Sequence, residues 1–353
     1  MLRMENILFE TYKDYFRVGA AVSGIIFNQD FREKIEQKTG KTINCEKDSD
    51  LLKKHFNLIV AENDTKMERI YKAENDFDFS VADKFIKFGK ENNKQMRWHT
   101  LVWHNQSPKW IFKGEGDSPA TKQQLEERTK KYIYTVGERY KDEICSVDVV
   151  NECISDKTFC IRTKDDHSMW REIMGEDYIE KAFFWAKEAF PNSDLVLNDY
   201  NLEIIPQKRQ AMYELIKNLL AKKVPVNTVG LQMHISMFNP PVEEIEKTIE
   251  LFGSLGIKVI ITEMDVSIYK FEDQSTKKNT PELLEEQGQR FFELFECFKK
   301  EAKKGYLQDV LFWGITDALS WKNNFPVQNR PDAALLFDVN GKAKPAFTRI
   351  IKG

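Results

Sequence analysis

The chain has 353 residues, a length that a single large α/β barrel commonly reaches and one that allows a sizeable buried core. A net charge of −3, with Lys mixed among Glu throughout, leaves no clustered basic face; this excludes a nucleic-acid partner and points to a neutral ligand. Seven Trp and twenty-five Phe are present, and several of the Trp stand beside polar motifs instead of inside apolar runs.

The opening stretch MLRMENILFETYKDYF carries charges at Arg3, Glu5 and Glu10 and no long apolar core. Neither a signal peptide nor a membrane span is therefore expected there or later. The first strand is predicted at 16–22, and a second at 56–61 runs into Glu62-Asn63-Asp64. A third, 96–102, is followed by Trp103-His104-Asn105. An amphipathic pattern predicts a helix over 123–140, after which the apolar run 145–150 meets Asn151-Glu152. Helix 177–190 precedes strand 194–197, which gives way to Asn198-Asp199-Tyr200. Helix 207–222 precedes strand 228–233, which closes on Gln232-Met233-His234. Helix 242–255 leads to strand 257–261 and then Glu263-Met264-Asp265.

Thr280-Pro281-Glu282 has the form of a helix start: a hydroxyl cap, Pro at the first helical position and an acid at the positive dipole end. Leu284, Gly288, Phe291, Phe295 and Phe298 then line one face until Gly305 stops the pattern. The last strand, 310–313, is followed by Thr316-Asp317. Eight strands alternating with helices predict a parallel (β/α)8 barrel, a TIM barrel, in preference to a doubly wound open sheet. No linker or repeat divides the chain, so residues 1–353 are expected to form one domain. The five Cys (Cys45, Cys145, Cys153, Cys160, Cys297) are odd in number and scattered, which predicts reduced thiols in the cytoplasm and no metal site.

Barrel enzymes work at the C-terminal ends of their strands. Solvated turns explain some polar strand ends, but a ring of them holding Trp, His and paired acids points to a site. Glu152 and Glu263 follow the fourth and seventh runs, on opposite sides of a barrel mouth only just wide enough for side chains. Paired carboxylates suit glycoside hydrolysis, with retention at a separation of about 5–5.5 Å and inversion at roughly 6.5–9.5 Å. His234 taken alone is better read as a core histidine that caps a strand, but set between Glu263 and Asp265 it suits holding one acid ionised, as a nucleophile requires. Glu152, flanked by Val150 and Cys153, has fewer charge partners and suits a protonated general acid. Asn151 offers a neutral donor to a sugar hydroxyl. Neither G-x-S-x-G nor G-x-x-x-x-G-K-[ST] occurs, and HTLVWH lacks metalloprotease spacing.

A set of motifs narrows this reading. ENDTKM starts at Glu62, RWHTLVWH ends at His104, VDVVNE ends at Glu152 and LNDYN ends at Asn201. VGLQMH ends at His234, ITEMD ends at Asp265, and FWGITD ends at Asp317 ahead of Trp321 and LLFD. In this order, over nearly the whole chain, they resemble the family-10 glycoside hydrolases, mostly endo-1,4-β-xylanases. The resemblance implies a retaining enzyme without cofactor or metal, with Glu152 as acid/base and Glu263 as nucleophile. It implies that His234 and Asp265 support the nucleophile and that Asn151 binds the 2-hydroxyl of the sugar being cleaved. Glu62, Asn63, Lys66, His99 and Gln106 would hold the two sugars on the non-reducing side. Gln232 would hydrogen-bond near the nucleophile, Trp103, Trp313 and Trp321 would wall the pocket, and Tyr200 would face the leaving group. The other four Trp are left as structural. Met67, Trp98 and Ile235 depart from the family's usual Trp, Gly and aromatic, and segment 322–334 is longer than in compact members. These departures are expected at the outer subsites and the roof of the cleft.

The expected substrate is xylan or, for a cytoplasmic enzyme, imported xylo-oligosaccharide. Two rivals are another retaining β-glycosidase on the same scaffold and a catalytically silent sugar-binding barrel. The intact Glu pair argues against the second.

Overall fold

The computed structural model describes residues 6–40 and 42–352, so the charges at Arg3 and Glu5 lie outside the described residues. Eight strands close on themselves: β1 (Arg17–Val22), β2 (Leu58–Ala61), β3 (Gln95–Trp98), β4 (Ile144–Asn151), β5 (Asp194–Asp199), β6 (Thr228–Leu231), β7 (Lys258–Ser267) and β8 (Leu307–Phe312). Each pairs in parallel with its neighbours, and β8 returns to β1, with Arg17 opposite Asp309. This is a (β/α)8 TIM barrel. Among the described residues no helix is long and apolar enough to cross a membrane.

The predicted helices form where the sequence marks them. Thr280 accepts from the Leu283 N–H at 3.3 Å, Pro281 opens the helix Pro281–Lys303, and Gly305 leaves it at a φ of +82°, a conformation that glycine adopts without a Cβ clash. Phe291 and Phe295 pack on Phe312 of β8 with ring centroids 6.3 and 6.1 Å apart, which fastens this helix to the barrel.

Small residues let the barrel close. A Cβ on Gly19 would lie 2.7 Å from the Leu58 carbonyl oxygen and 2.7 Å from Leu311, in the interior layer formed by Ala21, Leu58, Val60 and Leu311. Gly19→Ala is therefore expected to destabilise the fold by about 1–3 kcal/mol through overpacking. The check is a lower urea midpoint at unchanged slope.

Two strands differ from expectation in ways that shape the site. β7 does not end at Ile261 but continues through Glu263 and Asp265 to Ser267, because those side chains find hydrogen-bond partners in the barrel mouth. The run 96–102 breaks after Trp98, and the two-residue strand Val102–Trp103 pairs separately with Val150 and Asn151. Met67, Trp98 and Ile235 were expected along the cleft; all three are instead in the core, 2%, 0% and 3% exposed, with Trp98 against Tyr140. Segment 322–334 does lie at the rim, where Phe325 stacks on Trp321 and Asp332 accepts from the Ile268 N–H at 3.1 Å.

Candidate active site

Strand register assembles the polar ring. The short strand His234–Ser236 pairs with β7 so that His234 stands opposite Asp265. Its imidazole lies 2.8 Å from the Asp265 carboxylate through Nδ1 and 3.3 Å from Glu263 Oε2 through Nε2. Trp321 Nε1 donates to the same Asp265 oxygen at 2.8 Å, fixing the indole beside the His234 ring at 4.9 Å. Trp103, beside Asn151 in register, donates its Nε1 to Glu152 Oε2 at 2.8 Å.

Two amides connect the carboxylates. Asn198, opposite Asn151 across β4 and β5, donates its Nδ2 to Glu263 Oε1 at 2.9 Å and to Asn151 Oδ1 at 2.8 Å. Gln232 donates to Glu152 Oε1 at 3.1 Å and to Asn151 Oδ1 at 3.5 Å. Gln232, expected beside Glu263, thus makes its carboxylate bond to Glu152. With Oδ1 occupied twice, the buried Asn151 Nδ2 has no partner and is a donor available to a ligand.

The other expected residues lie around this pair. Lys66 Nζ donates to Asn63 Oδ1 at 2.9 Å and Gln106 Oε1 at 2.7 Å, and rests 4.8 Å above the Trp103 ring. Burial pushes the Lys66 ammonium down, while the charges of Glu263, Glu62 and Glu152 push it back up. Burial pushes the Glu62 carboxyl up against the charge of Lys66. His99 is held through Nδ1 by Asp148 at 2.8 Å, with its ring 5.4 Å from Trp313. The Tyr200 hydroxyl donates to Asp156 and accepts from Arg162 at 2.7 Å.

The two central acids are driven apart. Burial raises the Glu152 carboxyl above the ordinary glutamate value, and the charges of Asp199 and Glu263 add to this against hydrogen bonds from Gln232 and Trp103. Burial would also raise Glu263, but the His234 hydrogen bond, the His99 and His234 charges and the Asn198 amide hold it down at about 2. His234 is lifted to about 10: burial opposes its charge, and Asp265 followed by Glu263 overcome that. At neutral pH the arrangement is an ionised Glu263 on an imidazolium, facing a buried carboxyl with raised affinity for its proton.

Asn198, Asp148 and Arg162 join the site without a motif of their own to mark them. Asn198 was readable as a strand-end amide one strand from Asn151, and Asp148 as a lone acid inside the apolar run 145–150.

Residues 10–353 match the model of glycosyl hydrolase family 10. Endo-1,4-beta-xylanase A of Caldicellulosiruptor saccharolyticus is 39% identical, with 99% of this chain and 97% of that protein covered. Endo-1,4-beta-xylanase C of Paenibacillus barcinonensis is 42% identical over 86% of this chain, which spans only 29% of that longer protein. Among solved structures, a mutant of TsXylA, described as an intracellular xylanase from Thermoanaerobacterium saccharolyticum and complexed with xylotetraose, aligns with a TM-score of 0.84 at 37% identity, covering 97% of each chain.

Proposed function

The chain belongs to glycosyl hydrolase family 10, and from that premise we propose that its mouth cleaves β-1,4-xylosidic bonds with Glu263 as nucleophile and Glu152 as acid/base. It is a glycoside hydrolase of the endo-1,4-β-xylanase kind, working with retention. Glu263 attacks the anomeric carbon while Glu152 delivers its proton to the leaving oxygen. Glu152 then takes a proton from a water whose oxygen attacks the anomeric carbon, and the bond from that carbon to Glu263 breaks. The observation that carries this reading is the split between the acids, one held ionised on the His234–Asp265 pair and the other buried with its pKa raised.

Asn151 Nδ2 is suited to the 2-hydroxyl of the sugar under attack. The Asn63–Lys66–Gln106 group, with Glu62 and His99, is suited to the hydroxyls of the two sugars on the non-reducing side. Trp103, Trp313 and Trp321 offer flat apolar faces to the pyranose rings, Gln232 orients Glu152, and Tyr200 belongs to the leaving-group side. Residues 1–353 act as one catalytic domain in this reading. A cytoplasmic enzyme acting on xylo-oligosaccharides is supported by five free cysteines and by its likeness to TsXylA, an intracellular xylanase.

Incubation with an activated 2-fluoro xylobioside tests the assignment, because the fluorine slows both formation and release of the covalent sugar while the activated leaving group restores its formation alone, so the intermediate accumulates. Peptide mass mapping is expected to find the label on Glu263. A label on any other residue overturns the assignment of roles.

A further inference from the structure

Glu152 has a φ of +54°, a left-handed conformation that residues with a Cβ seldom adopt and that the surroundings must hold in place. Both of its peptide groups are fastened. Its N–H donates to the Asn198 carbonyl at 2.8 Å, and its own carbonyl accepts from Arg162 Nε at 2.9 Å. A tight turn returns Arg162 to this point: Ile154 bridges Ile161, and the Arg162 N–H donates to the Cys153 carbonyl at 2.8 Å. The other end of the guanidinium donates to the Tyr200 hydroxyl at 2.7 Å. Tyr200 is itself anchored, since its hydroxyl donates to Asp156, Lys208 Nζ lies 3.6 Å over its ring, and Lys208 pairs with Asp156 and Asp199 at 2.9 and 2.8 Å.

We propose that Arg162 is a positioning residue that couples the leaving-group side of the cleft to the acid/base, gripping the Glu152 carbonyl with one end of its guanidinium and the Tyr200 hydroxyl with the other. A guanidinium is a rigid planar fork, so the two bonds fix a distance and an angle that a lysine cannot reproduce. The orientation of the Glu152 carboxyl follows from its backbone. A sugar resting on Tyr200 would therefore meet a proton donor already aimed at the glycosidic oxygen. Proton transfer is steeply sensitive to such aim, and small misplacements cost large factors in rate.

This inference rests on the acid/base role given to Glu152 above. A purely structural Arg162 would, on removal, weaken the fold or lower turnover of every substrate alike. A positioning role instead predicts dependence on the leaving group. The comparison is kcat/KM, which reports only the first chemical step, for xylotriose and for 2,4-dinitrophenyl β-xylobioside, whose leaving group departs without protonation.

For Arg162→Met the expected loss is about tenfold or more on xylotriose and less than about threefold on the dinitrophenyl substrate. Arg162→Lys, which keeps the charge and one donor, is expected to show the same selectivity more weakly, so it serves if the Met variant does not fold. Equal losses on both substrates, or no loss on either, overturn the role of Arg162. A wild-type protein inert toward both overturns the xylanase reading and this inference with it.

Discussion

Replacing Glu263 by alanine is expected to lower kcat/KM on xylobiosides by about 10⁴-fold or more, some 5 kcal/mol or above of lost transition-state stabilisation. The site is built around this one ionised oxygen pair: Asn198 donates to Oε1 and His234 stands against Oε2, with Asp265 behind the imidazole. No other described carboxylate is placed to take over. Asp265 is turned to His234 and Trp321, and Glu62 follows a different strand, β2, with burial raising its carboxyl. Added azide should restore turnover with an activated substrate, because a small anion can enter the space left by the carboxylate. It would attack the face opposite the leaving group and yield the α-glycosyl azide. A β-azide, or activity left within tenfold of wild type, would contradict the role. His234 supplies an internal control. Glu263 is the second of the two acids that lift its pKa to about 10, so the variant should titrate lower while Asp265 keeps it above an ordinary histidine, as followed by imidazole NMR signals.

The barrel is legible in the sequence because its signals are local. Alternating apolar runs and 3.6-residue periodicity depend on neighbours along the chain, and the capped helix Pro281–Lys303 is marked by its own first and last residues. The ends of strands were less legible where the site lies. Thr262, Glu263 and Asp265 look like the close of a strand, yet β7 runs on through them because the mouth of a barrel is a buried polar environment with its own partners.

Contacts across the barrel are not written locally at all. That Gln232 donates to Glu152, and that Asn198 bridges Asn151 and Glu263, depends on the register of four strands. Met67, Trp98 and Ile235 show the same limit from the other side. They neighbour cleft residues along the chain, but the strands holding Trp98 and Ile235 and the short helix begun by Met67 turn these side chains into the core.

Replacing Glu152 by alanine should produce the opposite signature to a lost nucleophile. On xylo-oligosaccharides kcat/KM should fall by about 10²–10⁴, the usual worth of a general acid, while the dinitrophenyl xylobioside should keep most of its kcat/KM. The pH profile follows from the two carboxyls. Activity needs Glu263 ionised and Glu152 protonated. It should therefore be lost on the acid side only near the Glu263 value of about 2, and on the alkaline side as pH rises through the raised value of Glu152. In the wild type the alkaline limb of kcat/KM should appear on xylo-oligosaccharides and be absent on the dinitrophenyl substrate; an equal limb on both would assign it to another group.

The burial that chiefly raises Glu152, and the charge of Asp199, are permanent, whereas the negative charge of Glu263 is cancelled when the sugar becomes attached to it. A like charge removed from beside a carboxyl lowers its pKa, so Glu152 should release its proton more readily in the second half of the cycle, when it must act as base. Glu263→Gln imitates that loss of charge and retains an amide of similar shape. The Glu152 carboxyl, followed by carbon NMR, should titrate lower in this variant than in the wild type; an equal or higher value would mean that the two acids do not sense each other across the mouth.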